Sequence, residues 1–261
     1  AGAARTGRAA HSVSEEERRG SALRCWLCGP GSAVPMCDEV SGSVYTDGTL
    51  RTTDGDPMLL IGVNRSPYTR RVAIVLEVYG IPYEQRAFTG FDHRADVRAF
   101  NPLGRIPAMV LENGEALIDS GAIIDHLDEV YGRERALTPA SGADRRAVLR
   151  IVAMAMGACD KFLQAAYERN HRPPEKIHQP WRDDCLAQAT TALAALDVIA
   201  RSQKNYLILG KLTQADVCAF VAERLARVGL GIDTDLQMPS LRALTRRLAV
   251  EPAFRATEPD R

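Results

Sequence analysis

The chain has 261 residues, and its 33 lysines and arginines are balanced by 33 aspartates and glutamates, so the formal net charge is zero. A hydrophobic fraction of 46% and a charged fraction of 25% are typical of a folded globular protein and exclude disorder of the whole chain. The balanced charge gives no reason to expect nucleic acid or an acidic membrane surface as a partner, and the longest apolar runs are far shorter than the ~20 residues of a membrane span.

The cysteines do not have the spacing of a disulfide scaffold. There are six, spaced unevenly, and three of them lie in apolar stretches with helical periodicity. The chain also lacks a charged-then-apolar signal at its start. These features predict a reducing, cytoplasmic location.

Residues 1–57 differ in composition from the rest of the chain. They hold eight of the 20 glycines and show no sustained hydrophobic period. Because such a segment buries too little apolar surface to offset its ordering entropy, we expect a disordered leader. Its one chemical motif, Cys25-Trp-Leu-Cys28, would suit a redox pair or half of a zinc site. Cys37 and His11 are poorly spaced to complete such a site, which favours two incidental cysteines and no metal.

The first elements after this leader predict a βαβ unit. Residues 58–63 form a short apolar run typical of a buried strand, and a turn-rich loop follows. The next segment has apolar residues at i, i+3, i+4 and i+7, as in a helix, and Gly80 is placed to end it. A second strand at 83–88 should then pair with the first in parallel.

A hairpin and a further helix follow. Strands at 108–111 and 116–118 flank Asn113-Gly114, a strong hairpin signal, so we expect them to be antiparallel. Asp119 or Ser120 is placed to cap the next helix.

Residues 143–250 are helical in pattern throughout. A long apolar stripe comes first, then a break rich in proline, then a helix at about 181–201. Thr213 and Asp216 fit the N-cap and N3 positions of a capping box, and Leu212 and Val217 fit the hydrophobic staple around it. A further helix should therefore begin just after Thr213.

Three motifs occur in order in the first folded part. They are Ser66-Pro-Tyr-Thr-Arg-Arg-Val72, Asn101-Pro-Leu-Gly-Arg-Ile-Pro107 and Asp119-Ser-Gly-Ala-Ile-Ile124. Together they resemble the active-site loop, the cis-proline segment and the third-helix start of cytosolic glutathione transferases of the serine type. The capping box is similar to one that opens the central helix of that family's second domain, so the resemblance covers about 58–255.

The resemblance implies an α/β thioredoxin-like N-terminal domain at 58–135 plus an all-α C-terminal domain at 143–255. It also implies an enzyme of detoxification that joins glutathione, its co-substrate, to small hydrophobic electrophiles. By analogy with the family, the protein should be a homodimer.

Ser66 is the predicted catalytic residue by this resemblance. A hydroxyl that donates to a thiolate favours the ionised form, and the dipole of the helix behind Ser66 acts in the same direction. Tyr68 and Thr69 are the alternative donors. The competing interpretation of Ser66 is simple helix capping.

The resemblance assigns the backbone contacts of glutathione to the second motif. Pro107 should be cis and expose the backbone of Ile106 to the cysteinyl unit. Arg105 could bind the glycyl carboxylate, and His93 and Arg94 are alternatives for that role.

The third motif should bind the other end of glutathione. Ser120 lies at a helix N-terminus, where free N–H groups attract the γ-glutamyl carboxylate, and Asp119 would bind the ammonium group. The family more often has Glu or Gln at the position of Asp119, and the shorter side chain weakens that expectation.

Tyr68, Tyr167 and His171 are the candidates for the electrophile pocket, and the sequence predicts no metal site. Two alternatives to a transferase stay open. One is a catalytically weak binding or regulatory protein with the same fold. The other is a glutathione-dependent reductase, peroxidase or isomerase, of which the reductase is disfavoured because Ser66 replaces the cysteine it would need.

Overall fold

The structure, a computed structural model, describes residues 45–46, 49–50, 57–203 and 205–259. The predictions for Cys25, Cys28 and most of residues 1–57 fall outside the described residues. Within that segment, two short strands, β1 (Tyr45–Thr46) and β2 (Thr49–Leu50), pair antiparallel, which the sequence did not predict. Residues 57–111 and 116–259 belong to one compact unit.

A four-stranded mixed sheet opens this unit. Its strands are β3 (Met58–Ile61), β4 (Tyr83–Arg86), β5 (Ala108–Val110) and β6 (Ala116–Leu117), in the spatial order β4-β3-β5-β6. The parallel pairing of β3 with β4 and the antiparallel pairing of β5 with β6 confirm the sequence prediction.

Each strand is shorter than predicted. The strand β3 ends at Ile61 because Gly62, with φ of 142°, turns the chain out of the sheet. The strand β4 ends at Arg86 because the Phe88 N–H donates to the Arg86 carbonyl and closes a turn. The third and fourth predicted strands likewise end one residue early, at Val110 and Leu117.

The helix α1 (Pro67–Tyr79) packs beneath the sheet and has ten buried residues out of 13. Ser66 caps its start, and Pro67 takes the first helical position, where no N–H is needed. Gly80 ends the helix in the left-handed region with φ of 67°, as the sequence predicted.

Two further helices belong to this part of the chain. They are the short α2 (Arg94–Arg98) and α3 (Ser120–Leu127), which packs against α1. A π-helical turn at Asp128–Gly132 and a 3₁₀ turn at Arg133–Arg135 continue the chain after α3.

The second part of the chain is all-α. Its helices are α4 (Gly142–Asn170), α5 (Gln179–Arg201), α6 (Gln214–Arg224), α7 (Thr234–Gln237), α8 (Pro239–Leu248) and α9 (Pro252–Ala256). The predicted proline-rich break is confirmed at 171–178, where only the 3₁₀ turn Pro174–Lys176 is helical. The expectation of helix throughout 143–250 is wrong at 202–203, 205–213 and 231–233, which lie outside the helices. Proline-rich sequence explains the first break, and glycine in the left-handed region at Gly210 and Gly231 accompanies the other two.

The helix α6 is the centre of the all-α part. All residues from 214 to 223 are buried, and α6 contacts α1, α4, α5 and α8. Among the described residues, no helix is long and apolar enough to cross a membrane.

The predicted capping box at the start of α6 is confirmed. The buried Asp216 carboxylate accepts from the Thr213 N–H and hydroxyl, both at 2.9 Å, and from the Leu207 N–H at 2.7 Å. One carboxylate therefore ties the preceding loop to the first turn of α6.

Asp216→Ala should lower the free energy of unfolding by about 2–4 kcal/mol, because it leaves these donors without an acceptor in a buried site. Urea denaturation measures the loss. The matched control is Asp233→Ala, which removes an exposed N-cap of the four-residue α7 and should cost about 1 kcal/mol or less. Equal losses in the two variants would contradict the role given to Asp216.

Candidate functional site

The hydroxyl of Ser66 lies at the N-terminus of α1 and is partly exposed. Its oxygen accepts from the Thr69 N–H at 3.4 Å, a long capping bond. A hydroxyl that accepts in this way still has its own proton to donate. Capping and donation to a ligand are therefore compatible at Ser66.

The two alternative donors are less free to act. The Tyr68 hydroxyl donates to the Asp160 carboxylate on α4, and burial together with this carboxylate raises the pKa of the phenol. The Thr69 hydroxyl is fully buried and has no hydrogen-bond partner among the described residues. A side chain at Gly62 would come within 2.4 Å of this oxygen, so Thr69 is held beneath the backbone of the loop.

The loop before β5 is organised by Asn101, which is buried. Its side-chain amide donates to the Arg105 carbonyl at 2.7 Å, and its amide oxygen accepts from the Leu103 N–H at 3.0 Å. The Ile106–Pro107 peptide bond is cis, as predicted. Within the described part of the chain, the backbone of Ile106 makes no hydrogen bond, so its polar groups are available to a ligand.

At the start of α3, Asp119 caps the helix and Ser120 contacts Arg71. Asp119 is the N-cap and accepts from the Gly121 N–H through one carboxylate oxygen at 2.8 Å. Ser120 is the first helical residue and is buried. Its hydroxyl oxygen accepts from the Arg71 guanidinium, from Nε at 3.1 Å and from Nη2 at 2.9 Å.

Arg71 supplies a buried positive charge behind Ser120. No carboxylate among the described residues pairs with it, and its third bond goes to the Cys218 sulfur at 3.5 Å. Burial raises the pKa of the Cys218 thiol, although Arg71 opposes the shift, so the thiol is neutral and does not compensate the cation. The start of α3 therefore presents free N–H groups and the Arg71 cation beside the capping carboxylate of Asp119.

Arg71 was not among the site residues predicted from the sequence. Its position could have indicated a role. Arg71 lies four residues before Val75 on the apolar side of α1, and a buried cation there needs a partner.

Two of the three predicted pocket residues lie together. The rings of Tyr167 and His171 are 5.3 Å apart, and both contact Phe91, which stacks on His171 at 4.4 Å. Phe91 is 49% exposed and was missed by the sequence analysis, since a single aromatic residue in a loop carries no periodic signal.

Arg105 connects this cluster electrostatically to Tyr68. Burial raises the pKa of both Tyr68 and Tyr167, and the Arg105 cation opposes the shift in each case. Arg105 therefore lies near both phenols, while its own side chain is exposed. Among the described residues, no group of three or more His, Cys, Asp or Glu side chains could hold a metal ion.

Comparisons with known proteins identify the family of this chain. A family model described as the N-terminal domain of glutathione S-transferase matches residues 60–135. The uncharacterized GST-like protein YibF of Escherichia coli K12 is 31% identical over 210 residues, which are 77% of this chain and 98% of that protein. Maleylacetoacetate isomerase of Pseudomonas aeruginosa is 31% identical over 214 residues, which are 77% of this chain and 96% of the isomerase.

Solved structures give the same result. A glutathione S-transferase from Methylobacillus flagellatus KT with glutathione bound is 26% identical, with a TM-score of 0.73 over 78% of this chain and 100% of that one. The fold is therefore the predicted thioredoxin-like α/β domain plus an all-α domain, and the bound glutathione agrees with glutathione as co-substrate. The chain belongs to the glutathione S-transferase family.

Proposed function

We propose that the protein is a glutathione transferase in which Ser66 ionises the glutathione thiol for addition to a small hydrophobic electrophile. The observation that carries this proposal is the Ser66 hydroxyl, which is partly exposed at the N-terminus of α1 and retains a proton to donate. Tyr68 donates its proton to Asp160, and Thr69 is buried, so Ser66 is the accessible donor of the three.

A hydrogen bond from the Ser66 hydroxyl to the thiolate is strong enough to ionise much of the bound thiol near neutral pH. A free thiol has a pKa of about 8.5, and a hydrogen bond to a charged acceptor contributes roughly 1.5–3 kcal/mol. At about 1.4 kcal/mol per pKa unit, this lowers the pKa of the bound thiol by about one to two units. A large share of bound glutathione would then be thiolate near pH 7.

The remaining contacts are proposed for the cysteinyl unit and the γ-glutamyl end of glutathione. The free backbone of Ile106, next to the cis Pro107, supports strand-like pairing with the cysteinyl unit. The Ser120 hydroxyl and N–H would bind the γ-glutamyl carboxylate, with the charge of Arg71 behind them. The second oxygen of Asp119 is left for the ammonium group, since the first is used in capping.

A different set of residues is proposed to bind the glycyl carboxylate and the electrophile. Arg105 is the cation proposed for the glycyl carboxylate, in competition with His93 and Arg94. Arg94 donates to the Gly90 carbonyl at 3.0 Å, which favours Arg105. Tyr68, with the ring cluster of Tyr167 and His171, would form the wall of the electrophile pocket.

Ser66→Ala should lower kcat/KM for conjugation at pH 6.5 by about ten- to hundredfold and leave glutathione affinity nearly unchanged, because it removes only the bond to the thiolate. The rate should recover at high pH, where the thiol ionises without help. Steady-state kinetics against pH measures both effects. Tyr68→Phe is the matched control and should keep the wild-type pH profile. A profile that shifts in Tyr68→Phe but not in Ser66→Ala would assign the donor to Tyr68.

Ser120→Ala should raise the Kd and KM for glutathione and leave kcat nearly unchanged, because the γ-glutamyl end does not change in the reaction and contributes uniform binding. Calorimetric titration and initial-rate kinetics separate the two quantities. A loss confined to kcat would contradict the assignment of Ser120 to binding.

Glutathione-dependent isomerisation is the second candidate function. It is supported by the 31% identity to a maleylacetoacetate isomerase over nearly the whole length of that enzyme. Assaying the protein with maleylacetoacetate beside a panel of electrophiles and peroxides distinguishes the activities. Glutathione binding with no turnover in any of these assays would support a binding or regulatory protein instead.

We also propose a cytoplasmic homodimer with a role in detoxification, on the analogy with the family. Sedimentation equilibrium at micromolar concentration should give twice the chain mass of 28.5 kDa. A mass equal to that of one chain would contradict the dimer.

A further inference from the structure

A second cationic site lies in the all-α part, among α6, α8 and α9. It is a cavity with a volume of about 400 Å³, within the range of small-molecule pockets. Five arginines line it: Arg224, Arg227, Arg242, Arg246 and Arg255. None of the candidate site residues lines this cavity, so its chemistry is separate from that of the Ser66 site.

The arginines outnumber the carboxylates that face them. Glu223 is shared by Arg227 and Arg242, and its oxygens also accept from the Thr234 and Thr245 hydroxyls. The nearer of its two guanidiniums is 3.0 Å away and the other 3.8 Å, too long for a hydrogen bond. Glu223 has therefore little capacity left to neutralise the cavity.

The other carboxylates are also shared. Asp235 lies 3.5 Å from Arg242 and 2.5 Å from Arg246. Glu258 lies 2.7 Å from Arg224 and 2.6 Å from the buried Arg70.

Arg255 is exposed and forms no ion pair with the described part of the chain. With Arg70 and the five lining arginines, six cations thus meet three carboxylates. In a chain of zero net charge, this is a pronounced local excess.

Several guanidinium nitrogens in this cluster have no hydrogen-bond acceptor. The Nε of Arg242 and the Nε and Nη1 of Arg70 are buried and make no hydrogen bond in the described part of the chain. Arg70 lies over the ring of Phe220, 4.9 Å from its centroid, and Phe220 forms part of the cavity wall. Unpaired buried donors are costly, and an anionic oxygen in the cavity would satisfy those that reach it.

The pKa of Arg70 is lowered mainly by burial and, to a smaller extent, by the neighbouring cation. Burial lowers the pKa of the Arg70 guanidinium to about 10; Glu258 opposes this shift, and the neighbouring Arg224 cation adds to it. A negative charge nearby would offset the repulsion between Arg70 and Arg224.

We propose that the cavity between α6, α8 and α9 binds a small phosphate-bearing anion. Planar guanidinium groups match the oxygens of a phosphate through paired hydrogen bonds, and several arginines on different helices can converge on one such group. A diphosphate suits the excess of three positive charges better than a single carboxylate does. The volume leaves room for an organic substituent against Phe220.

The experiment titrates pyrophosphate into the full chain by calorimetry at low ionic strength, with ATP and adenosine as separate arms. Pyrophosphate should bind with one site per chain, more weakly as salt is added, because charge attraction is screened. ATP binding tighter than pyrophosphate, with no binding of adenosine, identifies an organic phosphate. Equal affinity of ATP and pyrophosphate identifies the inorganic anion.

Arg255→Gln should weaken pyrophosphate binding by about tenfold or more, because it removes one charge-assisted donor. Arg255 is exposed and forms no ion pair with the described residues, so the substitution should leave the melting temperature unchanged. Arg150→Gln removes an exposed charge on α4 that does not line the cavity, and should bind pyrophosphate as the wild type does. Ser120→Ala should also retain binding, which separates the cavity from the glutathione site.

No binding of pyrophosphate at low salt would overturn the proposal. So would equal weakening in Arg255→Gln and Arg150→Gln, which would indicate a diffuse charge effect. Loss of binding in Ser120→Ala would place the anion at the other site and overturn it as well.

Discussion

Two neighbouring cations on α1, Arg70 and Arg71, have almost no exposed surface, and a buried guanidinium persists only where acceptors meet it. Arg71 finds them in Ser120 on α3 and Cys218 on α6, and Arg70 in the carboxylate of Glu258 after α9. These contacts fix α1 against both the α/β part and the all-α part. Because Ser66 caps the start of α1, its position in the site depends on the same contacts.

The placement of charge in the molecule follows from these arginines. The composition is neutral, yet the structure concentrates positive charge behind Ser120 and in the cavity around Arg242. At the first place the neighbouring thiol of Cys218 is neutral, and at the second the carboxylates are shared between cations. Both places favour anionic ligands, and they are built from different side chains.

The features that the sequence predicted are those with local causes. The capping box of Asp216, the left-handed Gly80 and the Asn113-Gly114 hairpin each depend on residues within a few positions of one another. The cis bond at Pro107 followed from a family motif and is present. Strand ends and helix breaks were less accurate, because turns such as that at Gly62 depend on contacts with distant loops.

The features that the sequence missed depend on contacts between distant parts of the chain. Arg71 meets a residue 49 positions away, and Phe91 meets rings on the far end of α4. The pairing of Tyr68 with Asp160, 92 positions apart, likewise could not be predicted, and it changes the choice among thiolate donors. The roles proposed for the site residues toward glutathione therefore draw on the geometry together with the family resemblance.

The pKa of the glutathione thiol bound to the wild-type protein tests the central claim most directly. The absorbance of the thiolate, followed against pH in the complex, reports this pKa without any electrophile present. A free thiol has a pKa of about 8.5. The pKa of the bound thiol should lie about one to two units below that value. A bound thiol that titrates like free glutathione would contradict the claim that Ser66 stabilises the thiolate.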